Sequence, residues 1–191
     1  MRWIWIDRIL ELDPGRRLVA IKHVGLGEEA VQGHFDAADG LGVDTPVLPA
    51  PLIIEGMAQT AGVLVGHTRD FREKVILAKI GRAELDVDAT PGATLRYTAT
   101  LDRIDDAGAA TSGTVELLDP ELCLLGAARR DPAAALAAVR PIGRIDLVFS
   151  HIDNNRAGLE FPTHNFVFGE SFKTLLRVSG LDDRGASDLT H

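Results

Sequence analysis

The 191-residue chain holds one cysteine, Cys123, so it can form no intrachain disulfide. That fits a reducing compartment, and a chain of this length buries a sizeable core without a crosslink. Basic residues are also scarce: 20 Lys and Arg stand against 28 Asp and Glu, a formal net charge of −8. Nucleic acid is disfavoured as a partner, because phosphate binding needs a concentrated basic surface. No long uncharged apolar run marks the N-terminal stretch, where residues 1–10 include Arg2, Asp7 and Arg8. Neither a signal peptide nor a membrane anchor is expected, and the default location is the cytoplasm. Internal repeats are absent. His23, His67, His151, His164 and His191 lack metal-ligand spacing and read as surface or hydrogen-bonded residues. No metal and no cofactor is expected.

What is present is ordinary soluble-protein composition, 46% hydrophobic and 25% charged. Asp13-Pro14-Gly15 reads as a turn after an apolar start, and residues 17–24 as a strand. Residues 25–49 are loop-like. Residues 52–67 form the most hydrophobic stretch, without proline, and read as a helix with Pro51 at its first position, where a missing N–H costs little. The periodicity then changes. Residues 75–87 read as a strand, Thr90-Pro91-Gly92 as a turn, and in 94–101 Leu95, Tyr97, Ala99 and Leu101 alternate with polar residues, the period of a half-buried strand. A turn at 105–108 leads to a strand at 110–118, and 143–152 is the last clear strand. Between them, 119–140 breaks the pattern and reads as an inserted surface helix. Residues 165–178 read as an amphipathic helix before a polar end. One long apolar helix followed by antiparallel strands predicts an α+β architecture, the sheet wrapped around the helix.

On a helical wheel, residues 51–66 are apolar almost all round, which marks a buried helix. The polar exceptions are Glu55, Gln59 and Thr60, with Glu55 and Gln59 one turn apart on one face. A buried glutamate is costly unless paired, hydrogen-bonded or protonated, so Glu55 is a candidate general acid; the plainer reading is a solvent-facing seam. His34, in the loop leading to this helix, is a candidate base or an ordinary surface histidine. Pro46-Val47-Leu48-Pro49 stiffens the approach to the helix, whose N-terminal amides favour anionic oxygen.

Gln32-Gly33-His34-Phe35, then Pro46-Val47-Leu48-Pro49, then residues 52–62 (LIIEGMAQTAG) together resemble the 3-hydroxyacyl-[acyl-carrier-protein] dehydratases of fatty acid synthesis. The resemblance implies a hot-dog fold over residues 1–155, with a long loop at 36–45 and an inserted segment at 119–140. Residues 156–191 are then a C-terminal extension with a short helix. It implies a homodimer or a trimer of dimers. His34 is the implied base and Glu55 the implied acid, contributed by the other subunit; Ala50, Gln59 and Phe35 are the expected oxyanion or substrate-binding residues. The implied reaction removes water from a 3-hydroxyacyl thioester, carried on acyl-carrier protein or CoA, to give the trans-2-enoyl thioester. The chain departs from the pattern in placing Asp36-Ala37 after His-Phe and Pro51 at the helix start, where one N–H donor is lost. The alternatives are another hot-dog thioester enzyme, a thioesterase or an isomerase, or a non-catalytic hot-dog subunit.

Overall fold

The structure, a computed structural model, describes residues 3–32, 46–118, 139–152, 165 and 167–181. The loop at 36–45 and the helix expected within 119–140 lie outside the described residues, except that Val139 and Arg140 open a strand. The elements in chain order are β1 (Arg8–Asp13), β2 (Arg17–His23), α1 (Glu29–Gln32), α2 (Ala50–Thr68), β3 (Val75–Leu85), β4 (Thr94–Asp105), β5 (Gly108–Leu118), β6 (Val139–His151) and α3 (Glu170–Val178). The six strands form one antiparallel sheet in the order β1-β2-β4-β5-β6-β3.

α2 forms over nineteen residues after Pro49 at its N-cap: its one internal proline, Pro51, sits in the first turn, where it is tolerated, and the residues after it are mostly apolar. Leu48, held by its N–H to Ala89 O at 2.8 Å, fixes the approach. The helix packs against β2 to β6, most extensively against β4, so the sheet curls around it as the hydrophobic pattern predicts. Ile53, Met57 and Leu64 are fully buried, and burying side chains of this size stabilises by about 2 kcal/mol each. Two glycines let helix and sheet meet. A Cβ on Gly56 would lie 2.6 Å from the Tyr97 hydroxyl, and one on Gly113 would lie 2.5 Å from Met57 Sδ. Burial pushes the Tyr97 hydroxyl well above its ordinary pKa, so it stays neutral.

Strand alternation behaves as read in β4, where Leu95, Tyr97 and Ala99 face the core. β6 starts four residues earlier than its pattern suggests, and the reason is tertiary. Residues 139–141 pair only with β5, because β3 joins β6 from Gly143 onward. Pro141 therefore sits in a stretch with one free side, where a missing N–H is tolerated. A register shift opposite Val115 and Glu116 follows at once, and it brings Ile142 into the core. β1 and α1 lie in segments read as an apolar start and a loop. The expected helix at 165–178 is shorter: α3 begins at Glu170, after a turn organised by Asn165.

Candidate active site

Glu55 projects from the second turn of α2 and is half-buried, not fully enclosed as the helical wheel suggests. The reason is that Glu55 lies on the face of α2 that lines a pocket and is not fully covered by the sheet. Its Oε1 accepts two hydrogen bonds, from Trp3 Nε1 at 3.1 Å and from Gln59 Nε2 at 3.0 Å. The Gln59 contact is the one-turn pair expected from the sequence. Gln59 is itself buried. Its Oε1 accepts the Trp5 N–H at 2.8 Å and its Nε2 also reaches Trp3 O at 3.3 Å. One amide side chain therefore fastens the N-terminal segment to α2 and orients the carboxyl group. Trp3 and Trp5 stack edge to face, with centroids 5.3 Å apart, which stiffens that segment.

Both donors bind the same oxygen, Oε1. A pocket of about 310 Å³ adjoins this carboxyl group, within the range of small-molecule sites. On α2 its floor is Glu55, Ala58, Gln59 and Gly62, positions that share one helical face. Ile76 and Leu77 of β3 and Phe149 of β6 form one side, and Val167, Phe168 and Phe172 another. Trp3 lines this pocket and also a second one of about 560 Å³ beside α1 and Leu52. The smaller of the two is the one that contains the Glu55 carboxyl group.

Of the expected site residues, Glu55 and Gln59 meet in this pocket. Ala50 stands at the first position of α2, exposed, one turn before Glu55. His34 and Phe35 lie outside the described residues. Gln32, the end of α1, marks where their segment departs, and α1 is held by a buried cation: Lys22 Nζ lies 2.7 Å from Glu28 Oε1 and 3.7 Å from Asp7 Oδ1. His151 is buried beside Glu73, its Nδ1 2.9 Å from Oε2, and so is not a surface residue. His23 is exposed, with Nδ1 2.8 Å from Thr94 Oγ1. Among the described residues, no group of three or more His, Cys, Asp or Glu side chains is placed to hold a metal ion. Sequence reasoning missed Trp3 and the Phe168–Phe172 wall. Trp3 is 52 residues from its partner, and no local spacing signals such a contact.

Comparison with known proteins places this geometry in a family context. Residues 3–118 match the model of the FabA-like domain family. The 3-hydroxyacyl-[acyl-carrier-protein] dehydratase FabZ of Symbiobacterium thermophilum is 40% identical over 95 residues, which cover 49% of this chain and 62% of that protein. The FabZ of Solibacter usitatus is 36% identical over 141 residues, covering 70% of this chain and 82% of its own length. A Streptococcus mutans protein crystallised with acetyl-CoA shares the fold with a TM-score of 0.51, at 8% identity, over 75% of this chain and 86% of its own. The family match ends before β6 and α3, so the aromatic wall of the pocket stands beyond it.

Proposed function

The chain belongs to the FabA-like domain family, and from that premise we propose that it dehydrates 3-hydroxyacyl thioesters, on acyl-carrier protein or CoA, to trans-2-enoyl thioesters. The observation that carries this reading is the Glu55 carboxyl group, held by two donors on one oxygen and lining an apolar pocket. The mechanism follows from what each residue offers. Neutral His34 takes the proton alpha to the thioester carbonyl, and the electron pair expels the 3-hydroxyl. Glu55 delivers a proton to that hydroxyl as it leaves as water. Ala50, whose N–H stands at the start of α2, serves the enolate-like oxygen; Pro51 contributes no donor. Gln59 acts on Glu55 as a positioning residue, and Phe35 contacts the acyl thioester. The enzyme works in the cytoplasm.

We infer a homodimer, or a trimer of dimers, in which His34 of one subunit faces Glu55 of the other. Support comes from β3, whose outer edge pairs with no described strand and exposes Ile76, Leu77 and Ile80. A second copy of that edge completes the hydrogen bonding of both strands.

Glu55→Gln tests the acid role, because the amide preserves shape and removes the transferable proton. Hydration of crotonyl thioester, followed by ultraviolet absorbance, is expected to fall on the order of a hundredfold or more, with the fold unchanged by circular dichroism. Near-normal turnover by this variant rules out Glu55 as the acid.

A further inference from the structure

The pocket beside Glu55 is a trough with one closed end. Along α2, Ala58 and Gly62 follow Glu55 at three and seven residues, and both are small. Seven residues correspond to about 10.5 Å of helix, so the trough extends well away from the carboxyl group. A Cβ on Gly62 would meet only Phe149, at an ordinary 3.7 Å, so open space lies above that turn. One turn further the helix is covered. At Gly66 an added Cβ would lie 2.5 Å from Phe168 Cζ, so the Phe168 ring rests on the bare helix backbone. Phe71 backs that ring at 4.8 Å between centroids, and Phe172 flanks it at 5.8 Å, both edge to face. Phe168 is buried, whereas Phe172 is half-buried and lines the trough.

This wall is fastened from both sides. Asn165 Nδ2 donates to Phe71 O at 2.9 Å and Glu73 O at 3.1 Å, while its Oδ1 accepts the Val167 N–H at 3.1 Å. The C-terminal segment is thereby pinned to the turn that joins α2 to β3. Its rings pack edge to face, which adds to the stabilisation from burial.

We propose that Phe168 and Phe172 form the end wall of the acyl-chain site and set an upper limit on acyl length. This rests on the reading of Glu55 as the acid at the other end of the trough. The uncovered stretch of α2 ends between Gly62 and Gly66, about 10 to 16 Å along the helix from Glu55, so the acyl groups admitted are short to medium. Atoms beyond that length meet the Phe172 ring, not solvent.

Phe172→Ala removes the half-buried part of the wall and leaves Phe168 on the core; Phe172→Trp extends it. Two measurements are made on both variants and the parent, with folding verified by thermal melts. The first is kcat/KM for four-, eight- and twelve-carbon enoyl-CoA thioesters. The second is calorimetric binding of the saturated acyl-CoA of the same lengths, which cannot react. Phe172→Ala is expected to raise the twelve-to-four-carbon ratio about tenfold in both, and Phe172→Trp to lower the eight-to-four-carbon ratio. Length ratios that stay fixed in the binding series overturn the wall, whatever the turnover. A parent that hydrates none of the thioesters, while its variants shift the binding ratios as expected, defeats the dehydratase reading and leaves the wall standing.

Discussion

At one edge of the sheet, β1 presents Arg8, Glu11 and Asp13 to solvent, and α3 packs against it. The Ile9 N–H, which points away from β2, is taken by Ser179 Oγ at 2.9 Å, just after α3. At the other edge, β3 pairs with β6 alone and carries Ile76, Leu77 and Ile80 at 39%, 38% and 45% exposure. An unpaired edge is a template for any strand, and a protein blunts it with charge, cover or bulges. β1 receives charge and cover, with Leu10 left exposed. β3 carries Lys79, Arg82 and Glu84 and register shifts after Leu77 and Ile80, yet its outer edge pairs with no described strand and keeps Ile76, Leu77 and Ile80 bare. That combination discourages promiscuous pairing while leaving a surface for one well-matched partner, and it underlies the dimer proposed here. The C-terminal segment touches both regions: α3 packs against β1, and Phe168 and Phe172 line a pocket with Ile76 and Leu77 of β3.

The contrast is broken most forcefully at β3. Ile80→Lys places a charge in the middle of the bare edge. The expected result is a monomer by light scattering and, with the shared site dismantled, a loss of hydration activity on the order of a hundredfold or more. A variant that remains dimeric and active removes β3 from the interface.

Asn165→Ala acts on the C-terminal segment. It strips donors from Phe71 O and Glu73 O and an acceptor from the Val167 N–H. A stability loss of about 2 kcal/mol in urea unfolding is expected, with the dimer intact. An unchanged midpoint contradicts the fastening role.

Ser179→Ala tests the finish of the β1 edge alone. The loss is about 1 kcal/mol, and exchange of the Ile9 amide with deuterium should quicken, since its acceptor is gone. Protection of that amide at the parent level excludes the contact.

The smallest effect concerns Glu170, exposed in the first turn of α3. Its carboxyl group is held below the ordinary value by the hydrogen bond from Lys173 at 2.8 Å and by that cation's charge. A depressed folded value stabilises above the ordinary carboxylate range, and the benefit fades as pH falls through the lowered value. Lys173→Met should return the Glu170 titration, followed by NMR, towards the ordinary value without altering the dimer. An unmoved titration assigns the shift to another cause.

Legibility in the sequence followed the range of the interaction. The apolar run of α2 and the alternation of β4 are local patterns, and both stand where they were read. The Glu55–Gln59 pair is also local, one turn of helix, and it is formed. β1 escaped because only Ile9 of its six residues is buried, too few to show a period. α1 has four residues, about one turn, and no periodicity fits within that. The start of β6 escaped because Val139 and Arg140 lay in the segment read as an inserted helix, and only the pairing, with one side free at Pro141, makes them strand.

The sequence by itself determined the central helix, β2, β4 and β5 and most of β3 and β6, and the carboxyl group placed on that helix, because burial of apolar area acts on neighbours along the chain. Only the tertiary structure decided that Trp3 donates to Glu55, that Phe168 rests on Gly66, and that one sheet edge is covered while the other is bare. Those contacts join segments 52, 102 and 170 positions apart. Nothing in local propensity encodes such pairings; they arise when a twisted sheet curls around a helix and brings distant segments into contact.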